Sequence, residues 1–185
     1  MGTALADSAL ARGHQVTVVS GPVHIDYPAD ARVIQVDTTD EMLSVVKQQF
    51  AKHDGLIGAA APCDYMPRKV QTEKISKSGQ PLQLELVETP DIVATVASTK
   101  TNTQWVVGFA LETEDQRFRA IVKMQKKCCD MMVSNGPSAI DSAENEVELL
   151  SADGTTLAHV AGSKTKVAEA IIQAIEENLI SRKQS

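Results

Sequence analysis

The sequence predicts an α/β fold, a mainly parallel sheet covered by helices, closed by a C-terminal β-hairpin and a last helix. Three observations predict it. Short apolar runs alternate with amphipathic stretches from residue 2 to residue 135, and strand–helix alternation gives parallel strands with right-handed crossovers. The pair Asp153-Gly154 sits between two strand-like runs, the signature of a tight hairpin turn. From Ser163 to Leu179 apolar residues then recur at helical spacing.

The elements follow in order. Ala4, Leu5, Ala9 and Leu10 share one face of a helix over residues 2–12, and Gly13-His14 stops it. Val16 to Val19 is a short buried strand ended by Ser20-Gly21-Pro22. This helix–turn–strand pattern is the second half of a βαβ unit, so a first strand and a Gly-rich turn are expected ahead of Met1. A loop with two prolines leads to a strand over Arg32 to Val36. Thr39-Asp40-Glu41 starts a helix through Phe50, with Met42, Val45, Val46 and Gln49 on one face.

Gly55 to Ala61 is the next strand, broken at Pro62 and followed by Asp64, Tyr65, Lys74 and Lys77. Ser78-Gly79-Gln80-Pro81 reads as a turn, and Leu82 to Val87 alternates as a half-exposed strand. Together these form a hairpin-like excursion from the sheet. Thr89 is the expected cap of a helix with Pro90 in its first turn and Ile92, Val93, Val96 and Ala97 facing inward. Gln104 to Ala110 is a buried strand, Glu114 to Lys127 a basic helix, and Asp130 to Asn135 a strand closed by Gly136-Pro137. The hairpin is expected over 146–150 and 155–160. The last helix is capped by Ser163, with Val167, Ala170, Ile171, Ala174 and Ile175 on one face, and 181–185 is a polar tail.

Composition excludes several classes. The chain has 185 residues, 43% of them apolar, enough for one domain with a sizeable core. A net charge of −6 and 3% aromatic residues argue against a general nucleic-acid binder and against base-stacking platforms. Cys63, Cys128 and Cys129 have neither disulfide nor zinc spacing and fit a reducing cytoplasm, with Cys128 and Cys129 expected to be packing residues. No run reaches the roughly 20 apolar residues of a membrane span, and no signal peptide is visible. The histidines His14, His24, His53 and His159 stand apart, so no metal site is expected.

Candidate chemistry gathers at one sheet edge. Gly58 to Asp64, the turn at Pro90 and Gly108-Phe109-Ala110 would all lie at C-terminal strand ends, where open α/β sheets hold ligands. Lys74 and the Lys123/Lys127 helix face could add positive charge there, and free N–H groups at the helix start after Pro90 would suit a polyphosphate. The same residues also read as a solvated charged loop and a solvated helix face. Neither a G-x-G-x-x-G nor a P-loop motif is present.

The segments GAAAPCDY, EKISK, TPDIVA, GFALET and the spacing of Lys123 and Lys127, in that order, resemble the phosphopantothenoylcysteine synthetase domain, the C-terminal half of the bifunctional coenzyme A biosynthesis flavoproteins. GHQVTVVSGPV is similar to the stretch after that family's first helix. The resemblance spans Met1 to about Leu179 and implies a Rossmann-like three-layer sheet, a cytoplasmic homodimer, and CTP-dependent ligation of 4′-phosphopantothenate to cysteine through an acyl-cytidylate, with Mg²⁺ accompanying CTP. It implies nucleotide-binding roles for Gly58, Ala59, Ala60, Asp64, Lys74, Pro90, Asp91, Ile92, Val93, Phe109, Lys123 and Lys127, and a catalytic role for Lys74. Asn135 matches a family asparagine of unassigned role. The sequence departs from the pattern at Ser76, where a lysine is usual, and at Pro62-Cys63. The family has a first strand and an N-x-S-S-G-x-M-G loop ahead of this point, and this sequence starts at that loop's final Met-Gly, so ligation impaired by the missing part of the loop is expected; the flavin-binding half lies outside the match, so no FMN is expected. The alternative is a non-catalytic nucleotide-binding or regulatory domain of the same fold, and an NAD(P)-binding oxidoreductase is weakened by the missing glycine fingerprint.

Overall fold

The computed structural model describes residues 1–77, 79–111, 115–135 and 144–181. Ser78, Glu112 to Glu114, Gly136-Pro137 and residues 182–185 of the tail lie outside the described residues.

Among the described residues the strands are β1 (Thr17–Ser20), β2 (Arg32–Gln35), β3 (Gly55–Gly58), β4 (Tyr65–Pro67), β5 (Leu86–Glu88), β6 (Trp105–Leu111), β7 (Met131–Asn135), β8 (Glu144–Ser151) and β9 (Thr156–Ser163), and the helices are α1 (Gly2–Ala11), ahead of β1, α2 (Thr39–Phe50), α3 (Ile92–Ala97), α4 (Gln116–Lys126) and α5 (Lys164–Ile175). A π-helical turn, Glu176–Ile180, continues α5.

The main sheet has the order β3-β6-β7-β8-β9. Its β3, β6 and β7 are parallel, and β8 and β9 are antiparallel additions. The expected parallel α/β sheet and C-terminal hairpin are therefore present. One expectation needs correcting: β1 and β2 pair in parallel with each other but form a separate sheet. Alternation along the central strands builds two cores. Val107, Met131, Val133, Val147 and Leu149 face α1 and α5. Val106, Met132 and Leu150 face the other way, against α2, α3 and α4. Helices thus cover both faces, which requires strands that are apolar on both sides.

Local chemistry explains the ends. Thr38 and Glu41 form a reciprocal capping box at α2. Ser163 caps α5 by accepting from the Lys166 N–H at 3.3 Å. Gly13 has φ +86° and reverses the chain after α1. In the β8–β9 turn, where Gly154 has φ +83°, Asp153 accepts from the Ser151 hydroxyl and, at 3.0 Å, from the Thr155 N–H. Those bonds hold its carboxyl at about 2.

Several boundaries differ from expectation. The strand begun at Gly55 ends at Gly58 rather than Ala61, because the chain leaves the sheet to reach β4. The alternating run Leu82 to Val87 becomes a strand only at Leu86–Glu88, where β4 supplies an antiparallel partner. The hairpin strands are longer than the expected 146–150 and 155–160. Cys129 is buried as expected, but Cys128 is exposed, in a left-handed conformation of φ +54° after α4.

Candidate functional site

The parallel strands end together, and the site grows from the end of β3. Gly58, its last residue, is required by a close approach. A Cβ there would lie 2.5 Å from Val93 Cγ2, so only glycine lets the start of α3 pack on the strand end. Ala59 and Ala60 follow without bulk. Asp64 then accepts, through its carbonyl, the Thr89 N–H at 2.9 Å. The Thr89 hydroxyl donates to the Cys63 carbonyl at 2.5 Å. These two bonds fix the crossing where the excursion leaves and re-enters.

The cap of α3 differs from expectation. Thr89 spends its hydroxyl on Cys63, and Asp91, in extended conformation, is the N-cap. Its Oδ1 accepts from the Ala94 N–H at 3.0 Å. Oδ2 meets the ammonium of Lys127 at 2.9 Å. Burial raises the Asp91 carboxyl, but the Ala94 and Val93 N–H groups and Lys127 outweigh it and hold it below its ordinary value. The sequence reading expected free N–H groups at this helix start; those of Ala94 and Val93 are instead engaged by Asp91. Lys127, at the end of α4, is held against the start of α3 although 36 positions separate it from Asp91 in the chain.

These elements open into a cleft of about 1480 Å³. Its mouth is lined by Gly58 to Asp64, Thr89 to Val93, Phe109 and Lys127. The structure thus brings together ten of the twelve residues implicated from sequence: Gly58, Ala59, Ala60, Asp64, Pro90, Asp91, Ile92, Val93, Phe109 and Lys127. Lys74 and Lys123 are outside the lining. Lys74 is exposed on the excursion between β4 and β5. Lys123 shares the α4 face with Lys127 but sits one turn back. Asn135 ends β7 with a buried, unpaired Oδ1 and does not reach the cleft.

Sequence reasoning missed three features of this cleft. The Asp91–Lys127 pair joins residues with no local pattern between them. His53 places Nε2 3.0 Å from the Thr17 hydroxyl and Nδ1 2.6 Å from the Gln49 carbonyl oxygen, tying the loop before β3 to the start of β1. Trp105 packs over Gly55, where an added Cβ would fall 2.2 Å from the indole ring. Only the glycine at the start of β3 could have hinted at that contact. Among the described residues no three His, Cys, Asp or Glu side chains gather to hold a metal ion, and no helix is long and apolar enough to cross a membrane.

Comparison with known proteins places the chain. Residues 1–179 match the DNA/pantothenate metabolism flavoprotein C-terminal domain. The chain belongs to that family. Within the family, it is 37% identical over 185 residues to the coenzyme A biosynthesis bifunctional protein CoaBC of Vibrio cholerae, covering 97% of this chain and 46% of that protein. CoaBC of Mycobacterium bovis is 34% identical over 188 residues, covering 94% of this chain and 45% of that protein. The chain therefore spans about half the length of these relatives. The crystal structure of a CoaBC C-terminal domain superposes with a TM-score of 0.81 at 30% identity, covering 97% of this family member and 82% of that chain. A Cab2 variant in complex with phosphopantothenate-cysteine shares the fold, with a TM-score of 0.77 at 14% identity, over 100% of this chain and 79% of that one.

Proposed function

We propose that this domain is a phosphopantothenate–cysteine ligase of coenzyme A biosynthesis, using CTP to join 4′-phosphopantothenate to cysteine. Membership of the family supports the reaction class. The observation that carries the site is the cleft mouth, where the end of β3, the start of α3 and Lys127 converge on one open volume.

The reaction needs two displacements. A carboxylate oxygen of phosphopantothenate attacks the α-phosphorus of CTP, the bond to the β-phosphate oxygen breaks, and pyrophosphate leaves. The cysteine amine then attacks the acyl carbon, loses a proton, and CMP departs with the electron pair of the acyl–oxygen bond. Both steps concentrate negative charge, so positioning and fixed positive charge supply most of the catalysis. Lys127 is the positive group at the mouth, and the Asp91 carboxylate orients it. Gly58, Ala59 and Ala60 leave room for the nucleotide to approach backbone, with Phe109 alongside. Asp64 accepts from hydroxyl or amine groups of the nucleoside. Lys74, exposed on the excursion and outside the cleft lining, is the catalytic lysine of this reading. Lys123 adds charge behind Lys127. Mg²⁺ accompanying CTP would add neutralising charge at the triphosphate. The reading includes a homodimer, supported by the apolar Val70, Ile75, Leu82 and Leu84 exposed on the excursion.

The test is turnover. Protein is mixed with CTP, phosphopantothenate, cysteine and Mg²⁺, and pyrophosphate and CMP are followed. Release of both is expected, with kcat/KM falling about 10²-fold in Lys127→Ala, the scale for removing one charge-stabilising group. CTP binding without release of either product would favour a non-catalytic nucleotide-binding domain. No binding would overturn both readings.

A further inference from the structure

Lys127 is held from outside the cleft as well as from within it. It follows the last turn of α4, and Cys128, next in the chain, has φ +54°. That left-handed conformation is uncommon for a residue with a side chain and persists only where its surroundings fix it. Three bonds fix it here. The Cys128 N–H donates to the Gln125 carbonyl at 3.1 Å, and the Cys129 N–H donates to the Met124 carbonyl at 3.0 Å, which closes the end of α4. The Cys128 carbonyl accepts from the ammonium of Lys100 at 2.8 Å.

The same ammonium donates to Asp130 Oδ1 at 2.7 Å. Asp130 is itself pinned to β6. Its Oδ2 accepts from the Val106 N–H at 2.8 Å, and its N–H donates to the Val106 carbonyl at 2.8 Å. Lys100 therefore ties the turn between α4 and β7 to the central sheet. Its side chain is 23% exposed, and it does not line the cleft.

Asp91 and Lys100 flank one short helix. Asp91 caps the start of α3 and meets the Lys127 ammonium. Lys100 lies three residues past the end of α3 and meets the Cys128 carbonyl. The two ends of α3 thus grip consecutive residues, Lys127 by its side chain and Cys128 by its backbone. Cys129 is buried beside these groups. Burial pushes its thiol up to about 11, so near neutral pH it carries no charge and competes for neither ammonium.

We propose that Lys100 is a positioning residue for the ligase reaction: by holding the Cys128 carbonyl it fixes the turn after α4, so that the Lys127 ammonium stays at the cleft mouth. The role rests on Lys127 being the charge that meets the triphosphate. A lysine side chain has many rotamers, so the path of its backbone decides which volume its ammonium reaches. Without Lys100 the left-handed turn loses an anchor, and Lys127 keeps its charge but loses its aim.

The test is a double-mutant cycle on kcat/KM for CTP. Lys100→Met removes the ammonium, and Lys100→Arg keeps a cation. Lys100→Met should lower kcat/KM about ten-fold or more, as expected for a displaced group, and Lys100→Arg should recover most of the loss. In a Lys127→Ala background Lys100→Met should add less than about two-fold, because the group it positions is gone. Equal losses in both backgrounds would mean that Lys100 only supports the fold, and would overturn the proposal. An unchanged kcat/KM in Lys100→Met would overturn it too. A second cycle reads the same coupling without turnover. Urea midpoints of Asp91→Asn, Lys127→Met and the double variant give the coupling of that pair, which should vanish when Lys100→Met is added. A coupling that survives overturns the proposal. If the parent releases no product, the proposed ligase function fails, while the second cycle still decides what Lys100 does. Lys100→Gln, neutral and one bond shorter, serves in both cycles with the same expectations if the Met variant does not fold.

Discussion

The two halves of this molecule obey the same alternation and end in different states. In the closed half, β6 and β7 have strand neighbours on both edges and helices on both faces, and Val106, Val107 and Met131 to Val133 are fully buried. In the open half, β1 and β2 have only each other among the described residues, and β2 is exposed at three of its four residues. The strands also differ in content: four of the eight residues of β1 and β2 are apolar, against nine of the twelve of β6 and β7. Burial follows both the apolar content and the neighbours that complete the layer, and the cleft with its candidate site lies where completion stops.

Substitutions can break or sharpen that contrast. Leu149→Ala, in the closed half, should cost about 2–5 kcal/mol, the range for a fully buried leucine, read from the urea midpoint; a small loss would show that this half is loosely packed. Gly55→Ala, on the wall of the cleft, forces a methyl into the Trp105 ring and should cost about 1–3 kcal/mol, with a shifted tryptophan emission. Unchanged emission would place that ring elsewhere. Asp91→Ala removes the cap of α3 and should cost about 0.5–2 kcal/mol while raising KM for CTP through a freed Lys127; Asp91→Asn should restore stability more than KM. Val33→Ala, 37% exposed in β2, should stay within about 0.5 kcal/mol, and a larger loss would mean that the open half is packed like the closed one.

The smallest expected effect concerns a clasp between α1 and the end of α5. Arg12 and His14, just after α1, both meet Glu176 in the π-turn after α5. The Arg12 bond lowers the Glu176 carboxyl, burial opposes it, and His14 adds to the fall, leaving it at about 2. A carboxyl depressed on folding stabilises above its unfolded value, so the contribution is full above about pH 4.5 and lost as the pH falls towards 2. The melting temperatures of the parent and of Glu176→Gln should therefore converge in acid. A gap that persists at pH 2 would contradict the ionic account.

Much of this was legible because it is local. Helix α2, the Asp-Gly hairpin, the Ser163 cap and the apolar strands all rest on signals within a few residues. The cleft-mouth residues were legible because strand ends and helix starts converge in any parallel sheet. What was not legible depends on contacts between distant segments. Thr89 lost the cap to Asp91 because its hydroxyl goes to Cys63, 26 positions away in the chain. Lys127 and not Lys123 reaches the cleft because α4 ends beside α3. Cys128 is exposed because the left-handed turn after α4 points it outward. The separation of β1 from β3 follows from pairing, which the apolar pattern of either strand alone does not encode.

We propose the cleft mouth between the two halves as a nucleotide site, and amide exchange of the full chain with and without CTP and Mg²⁺ tests it. Slowing is expected at Ala59 to Asp64, at Ile92 and Val93, and around Lys127, and it should be lost in Lys127→Ala. Protection confined to other elements, or none at CTP concentrations that support turnover, would contradict the account.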